Sequence, residues 1–316
     1  MANLAKVYVG VDVSKAYLDI YIHPVEQAFR IENNTNAINQ VKKRLSQYFV
    51  EQIVCESSGG YEQIMLKIFA KHGYRTWQVD PKRIKAFIAS EGVKFKTDAV
   101  DARMIALFAS QKKCVYQKPI ASKEVLELQI LVKRRRELVA MKADEKKRIQ
   151  QCDDQLYQTS IKKIIETVEE EIGHLQEKID TLTNNNKELK QKKNIMESVP
   201  GLGAITANVL LAFVSELGSV TGKQAAALVG VAPYVNKSGT FIGKSFISGG
   251  RAEPRHALYM AALASSRSDK GFGKFYKKLV ARGKLPKIAL VAVMRKIIVC
   301  VNAMLKKGEL WNPVFA

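Results

Sequence analysis

Four carboxylates set the chemical question. Asp12 lies in Gly10-Val11-Asp12-Val13-Ser14-Lys15, where on a strand Val11 and Val13 face away from it. Glu56 closes an apolar run in Val54-Cys55-Glu56-Ser57-Ser58-Gly59-Gly60-Tyr61, and its two glycines would let a ligand or another backbone come close. A carboxylate among apolar strand residues is costly unless it is paired or bound to a cation. Two such acids in one sheet therefore suggest a metal site, with a plain strand-end polar residue as the alternative for each. Asp98 and Asp101 stand three apart in Lys96-Thr97-Asp98-Ala99-Val100-Asp101-Ala102-Arg103, which on a helix puts both on one side. The competing account makes Asp98 an N-cap and Asp101 its capping-box partner. Together the four acids suffice for two divalent cations, Mg2+ or Mn2+, with phosphate and water completing the shells. Such a pair suits phosphodiester chemistry, because it stabilises both the attacking and the leaving oxygen.

A second group of candidates lies near the carboxyl end. Ser248, in Phe246-Ile247-Ser248-Gly249-Gly250-Arg251, could form a covalent phosphoester that conserves bond energy during strand exchange. Its glycines would admit a DNA backbone, and Arg251 and Arg255 could hold the phosphate in bidentate fashion. A loop serine is more often a simple turn residue, and Ser238 and Ser245 share the neighbourhood. Pro200-Gly201-Leu202-Gly203, between two helical runs, would suit a helix-hairpin-helix-like turn whose Gly201 and Gly203 N–H groups hold a phosphate without reading sequence. An ordinary helix-helix turn explains it equally well. The four histidines and four cysteines lack zinc-ligand spacing and form no CxxC pair, so neither a zinc site nor a disulfide framework is expected.

The elements that must position these residues follow from periodicity. Lys6 to Val13, Tyr17 to His23 and Gln27 to Glu32 alternate as three short strands of a meander. Helix Asn36 to Phe49, strand Gln52 to Glu56, helix Tyr61 to His72, strand Arg75 to Val79, and helices Pro81 to Ala89 and Asp98 to Ser110 complete a mixed α/β sheet domain over residues 1–118. Residues 119–195 read as helix. Their second half carries Ile161, Ile165, Val168, Ile172, Leu175, Ile179, Leu182, Asn186 and Leu189 in alternating steps of four and three, a coiled-coil seam. That seam would pair two protomers, or else fold back as a hairpin on Val125, Leu128, Val132 and Val139. A mainly helical region follows over residues 196–316.

The 316 residues carry a formal charge of +21, which fits a polyanionic partner. From Leu217 to Gly308 there are 17 Lys or Arg against two acids, Glu253 and Asp269. Such a purged stretch is better explained by a phosphate backbone than by a solvated face, and Lys277, Lys278, Lys284 and Lys287 are its candidate contacts. The most apolar stretch, Ile288 to Leu305, is interrupted by Arg295 and Lys296, so no membrane span is expected and a reducing, cytoplasmic setting is.

With these motifs in order, including Ser198-Val199-Pro200-Gly201-Leu202-Gly203 and the Ser248 to Ala262 run, the chain resembles the insertion sequence 110 family of transposases, related to the Piv DNA invertases. The resemblance implies a RuvC-like (RNase H type) domain with its D-E-D-D acids on Asp12, Glu56, Asp98 and Asp101, a helical coiled-coil insertion, and a C-terminal transposase domain with its nucleophilic serine on Ser248. It further implies DNA strand exchange through a phosphoserine intermediate, donor and target DNA as substrates, a noncoding bridge RNA as guide, and a prokaryotic cytoplasm. A homodimer through the coiled coil, or a tetramer of such dimers, is the expected assembly. One departure bears on Ser248: the segment between it and the Ala257-Leu258-Tyr259-Met260 helix takes a short form here. A metal-dependent nuclease or junction resolvase, with water as nucleophile, is the competing enzyme class, and a non-catalytic nucleic-acid scaffold is the third reading.

Overall fold

The computed structural model describes residues 5–92, 98–113, 121–151, 153–234, 237–238, 241–243, 245–268 and 271–312, with backbone alone at 98–100, 237–238 and 241–242. It divides into two compact units, Met1–Ile120 and Ala121–Ala316. The helical insertion expected as its own region belongs to the second.

The first unit begins with β1 (Lys6–Val13), β2 (Tyr17–His23) and β3 (Gln27–Glu32). It continues with α1 (Thr35–Leu45), β4 (Phe49–Glu56), α2 (Gln63–Lys71), β5 (Thr76–Val79), α3 (Pro81–Ser90) and α4 (Asp98–Gln111). The five strands form one sheet in the order β3-β2-β1-β4-β5. The meander is antiparallel, while β4 runs parallel to β1, and β5 parallel to β4. This mixed sheet is consistent with the RuvC-like arrangement that the family resemblance implies. Helix α1 stops four residues earlier than expected because Phe49 and Val50 are drawn into β4 beside Lys6 and Val7.

Alternation sorts the strands onto two faces. Val7, Val9, Val11, Leu18, Ile20, Ile22, Ile53 and Cys55 join Ile38, Val41, Leu45, Met65 and Phe69 in one core under α1 and α2. The opposite face contributes Val54 and Val79 to a second core with Ile84, Phe87, Met104, Ile105, Phe108 and Ala109 from α3 and α4. Asp12 and Glu56 fall on this second face, two residues beyond Gly10 and Val54 respectively.

The second unit is built of helices: α5 (Lys123–Gln150), α6 (Gln155–Asn185), α7 (Lys187–Glu197), α8 (Ala204–Phe213) and α9 (Gly222–Leu228). Four two-residue strands follow, β6 (Pro233–Tyr234), β7 (Lys237–Ser238), β8 (Phe241–Ile242) and β9 (Phe246–Ile247). Helices α10 (Ala252–Ser266), α11 (Phe272–Ala281) and α12 (Pro286–Lys307) close the unit. The apolar α12 is long enough to cross a membrane. Here it is instead the core helix, burying Ala289, Leu290, Val293, Met294, Ile297, Ile298, Val301 and Met304 against α9, α10 and α11. Its buried Asn302 accepts from Gly218 N–H at 2.9 Å and donates to Val220 O at 2.8 Å, tying the α8–α9 connection to it.

Part of the heptad stripe is covered within the chain. Helices α5 and α6 pack on each other as a hairpin within one chain, burying Ile161, Ile165, Val168, Ile179 and Thr183 of α6. Leu128, Val132 and Leu138 of α5 are buried too, while Val139, expected in that seam, is exposed. The register drifts because a helix turns every 3.6 residues rather than 3.5. Asn186 ends α6 and caps α7, accepting from Leu189 N–H at 3.0 Å, so it is a helix break and not a polar seam position. A hairpin of α5 and α6, one of the two uses expected of the stripe, is present in the chain.

Candidate active site and nucleic-acid interface

The acids of the first unit are brought to one rim by strand register and one close helix crossing. Val11 of β1 lies beside Cys55 of β4 in a parallel ladder, so Asp12 and Glu56 are the next residues along two adjacent carboxyl ends. Helix α4 crosses β1 at Gly10, where a Cβ would sit 2.8 Å from the Cα of Ala106 and closer still to Ala106 N and Ala102 O. Only glycine fits there. The helix runs antiparallel to the strand: Gln52, early in β4, donates to the carbonyls of Ala109 and Lys112 at 2.6 and 2.7 Å, at the far end of α4. The first turn of α4, with Asp98 and Asp101, therefore lies toward the rim that carries Asp12 and Glu56.

Asp12, Glu56 and Asp101 are each half-buried there, and Asp12 Oδ1 accepts from Val13 N–H at 3.0 Å. The carboxylate of Asp98 lies outside the described residues; its backbone opens α4 as the first helical residue. Among the described residues no group of three or more His, Cys, Asp or Glu stands close enough to hold a metal by itself. The carboxylate oxygens of Asp12, Glu56 and Asp101 are donors that suit hard divalent cations.

Two carboxylates unnoticed in the sequence support this rim. Asp19 pairs across the ladder with Asp12, and Arg30 neutralises it through two 2.9 Å hydrogen bonds from Nε and Nη2. Glu62 is 2% exposed. Its Oε2 accepts from Ser58 N–H, Ser58 Oγ and Gly60 N–H at 3.1, 2.6 and 3.0 Å, and its Oε1 from Gln63 and Gln78 at 3.1 and 2.5 Å. Burial alone would raise its pKa, but these donors more than offset that and hold it below the usual carboxylate value. Glu62 thus fixes the loop immediately after Glu56. Cys55, immediately before Glu56 and fully buried, has its thiol pushed up by burial and by the nearby Glu62 and Glu56 charges, so it is inert.

In the second unit, Ser248 is exposed directly after β9, which pairs with β6 through Pro233–Ile247 and Tyr234–Phe246. Of the two glycines beside it Gly250 serves packing, whereas a Cβ on Gly249 would meet only the Tyr234 hydroxyl, at 3.9 Å. A Cβ on Gly250 would meet the backbone of Gly230, and Gly230 in turn leaves no room for one beside Gly249 O. Arg251 N–H donates to Leu228 O at 2.8 Å. The Arg251 guanidinium grips Glu216, 0% exposed, through Nη1 and Nη2 at 2.7 and 2.5 Å, and also reaches Phe213 O at 2.6 Å. Its forked side chain is thus engaged in a buried ion pair, where a bidentate phosphate contact was expected. Arg255 Nη1 donates to Gly249 O, a further brace on the serine loop. Glu253, in the first turn of α10, is paired with Arg136 at 2.9 Å.

Gly201, at φ +85°, presses against α10, where a Cβ would lie 2.9 Å from Ala261 O; Ser265 Oγ also donates to Pro200 O at 2.7 Å. Gly203 is the exposed N-cap of α8 and brings no side-chain cap. Lys277, Lys278, Lys284 and Lys287 are exposed from the end of α11 to the start of α12, interspersed with exposed Val280, Leu285 and Ile288.

Carboxylates at the rim of a mixed sheet, in a chain whose second unit is strongly basic, fit the class of enzymes that act on DNA, a class that similarity to known proteins shows. Residues 9–158 match a transposase family model, and residues 193–277 match that of the IS116/IS110/IS902 transposases. The two matches together span most of the chain, which belongs to the IS110 family of transposases. It is similar to the pilin gene-inverting proteins of Moraxella lacunata and Moraxella bovis, each 26% identical over 97% of this chain and 98% of the relative. It is also 33% identical to an uncharacterized 43.6 kDa protein of insertion element IS110 from Streptomyces coelicolor, over 37% of this chain and 30% of the relative.

Proposed function

We propose that this transposase exchanges DNA strands through a covalent phosphoserine intermediate, with Asp12, Glu56, Asp98 and Asp101 holding Mg2+ or Mn2+. The observation that carries the metal reading is the crossing of α4 over Gly10, which turns the start of that helix toward the carboxyl ends of β1 and β4. When bound, a divalent cation stabilises charge on the attacking and leaving oxygens. Glu62 keeps Glu56 in register with Asp12, and Arg30 keeps Asp19 from competing for the cation. The serine oxygen bonds to phosphorus as the scissile P–O bond breaks and the leaving oxygen takes up a proton; the hydroxyl of the incoming strand reverses the step.

Ser248 is the first candidate nucleophile, exposed on a braced loop in the basic unit. Because Gly250 and Arg251 are accounted for by packing, Ser238 on β7 and Ser245 are tested beside it. The exposed lysines of α11 and α12, the α8 N-terminus at Gly201 to Gly203, and Arg255 serve the phosphate backbone of donor and target DNA. A noncoding bridge RNA, implied by the family resemblance, is a second polyanion for the same surface. The relatives named for inverting a pilin gene support an exchange reaction over simple cleavage.

The test is a reaction stalled on a nicked substrate, digested with nuclease and mapped by mass spectrometry. A nucleotide-modified peptide is expected from wild type and lost in Ser248→Ala, while Ser238→Ala and Ser245→Ala retain it. Modification at Ser238 or Ser245 moves the nucleophile within the loop. Cleavage by water with no adduct in any variant replaces the recombinase reading by a nuclease.

A further inference from the structure

Beside the serine loop stand two aromatic rings that the proposed chemistry does not use. Tyr234 on β6 and Phe246 on β9 pair directly across the two-stranded ribbon. Their rings are stacked, with centroids 5.9 Å apart and planes 19° from parallel. Yet Tyr234 is 54% exposed and Phe246 55%. The Tyr234 hydroxyl reaches over Gly249, 3.9 Å from where a Cβ of that residue would stand. The pair is therefore a prearranged flat surface at the edge of the loop that follows β9.

We propose that Tyr234 and Phe246 form a stacking platform for an unpaired nucleobase. Three observations favour this occupant. The rings are already parallel, so a base extends the stack without paying to order two side chains. The surrounding segment, Leu217 to Gly308, has 17 basic residues and two acids, and one of those acids, Glu253, is tied up by Arg136. An apolar protein partner gains nothing from that charge, whereas a nucleic acid does. Finally, strand exchange by any route requires bases at the junction to leave one duplex before they pair in another. Stacking on aromatic faces accepts any base, since every base has a π-face. The proposal rests on the DNA substrate of the family and is independent of which serine is the nucleophile. Both unpaired DNA and unpaired RNA offer this chemistry.

The experiment uses the full chain with Tyr234→Leu and Phe246→Leu combined, which keeps apolar bulk but removes both π-faces. Binding of a fluorescent oligo-dT, the matching oligo-U and a blunt duplex is measured at one salt concentration, with 2-aminopurine quenching as a direct report of stacking. The double variant is expected to bind the single strands roughly 5- to 100-fold more weakly. Duplex affinity should stay unchanged, and 2-aminopurine quenching should be lost. Phe246→Trp, with a larger ring, should tighten single-strand binding. A preferential loss for oligo-U assigns the platform to RNA, and one for oligo-dT to DNA. Equal loss for duplex and single strands, or no loss for either, overturns the proposal. So does a change of molar mass in light scattering, which would make the rings a contact between two copies. A lowered melting temperature with unchanged quenching would make them structural.

Discussion

Replacing Gly10 by alanine puts the geometry of the acid rim to its most direct test. The added Cβ would fall 2.8 Å from Ala106 Cα and closer to Ala106 N and Ala102 O, where real Cβ atoms essentially never come within 3.0 Å. All three obstacles are backbone, so no side-chain rotation relieves them. Helix α4 must retreat from β1 by about 1 Å, a strain of roughly 1–3 kcal/mol by analogy with overpacked cores. A domain stability of roughly 5–15 kcal/mol absorbs that. The acids do not escape so lightly, because Asp98 and Asp101 ride on the displaced helix while Asp12 and Glu56 stay with the sheet. A misplacement of about 1 Å can cost on the order of 100-fold in rate. Gly10→Ala is therefore expected to remain folded, with a melting temperature lowered by a few degrees, yet to lose on the order of 99% of strand exchange, partly recovered at high Mn2+. Stability would be followed by circular dichroism and exchange by a plasmid assay. Wild-type activity with an unchanged Mn2+ requirement would refute the claim that α4 and β1 jointly hold the cation.

Three further outcomes follow from the same structure. Exchanging Lys277, Lys278, Lys284 and Lys287 for glutamine should flatten the slope of log affinity against log salt by roughly three to four, and an unchanged slope would mean these lysines only meet solvent. Ile165→Asp buries a charge in the α5–α6 hairpin and should destabilise the second unit by about 3 kcal/mol or more without altering the molar mass; halved mass with unchanged melting would restore the two-protomer seam. Glu62 has a folded pKa below its ordinary value of 4.5, so its contribution is present above that pH and is lost as the pH falls through the folded value. Glu62→Gln should accordingly lower stability near neutrality and make the unfolding midpoint less sensitive to pH below about 4.5, a difference absent if the carboxylate is merely a loop decoration.

The first unit was legible in the sequence because its elements are short and strictly periodic. The three meander strands fall where alternation put them, and Asp12 and Glu56 take the face opposite Val11 and Cys55 as period two requires. Convergence of α4 on that face was not legible. It depends on Gly10 meeting Ala102 and Ala106, a contact between residues more than ninety positions apart with no local signature. The heptads were legible as a buried stripe, but a stripe says only that a face is covered. Within the chain α5 covers part of that stripe, which a sequence pattern alone does not say.

Short glycine motifs misled for a related reason. Gly249 and Gly250 looked like an opening for a DNA backbone, yet the space that a Cβ on Gly250 would fill is taken by Gly230, and Arg251 turns inward to Glu216. Gly201 is likewise spoken for by α10. A glycine marks a place where something comes close: at Gly250 and Gly201 that something is this chain itself, while beside Gly249 the space stays open. What these contacts do provide is rigidity: the turn after Ser248 is held by Leu228, Gly230, Glu216 and Arg255 at once, while Tyr234 and Phe246 cap the ribbon before it. A rigid loop delivers a nucleophile to only one place. The position of the covalent nucleotide therefore reports which end of the ribbon meets the scissile phosphate: the braced glycine turn if it is Ser248, the opposite β7–β8 end if it is Ser238.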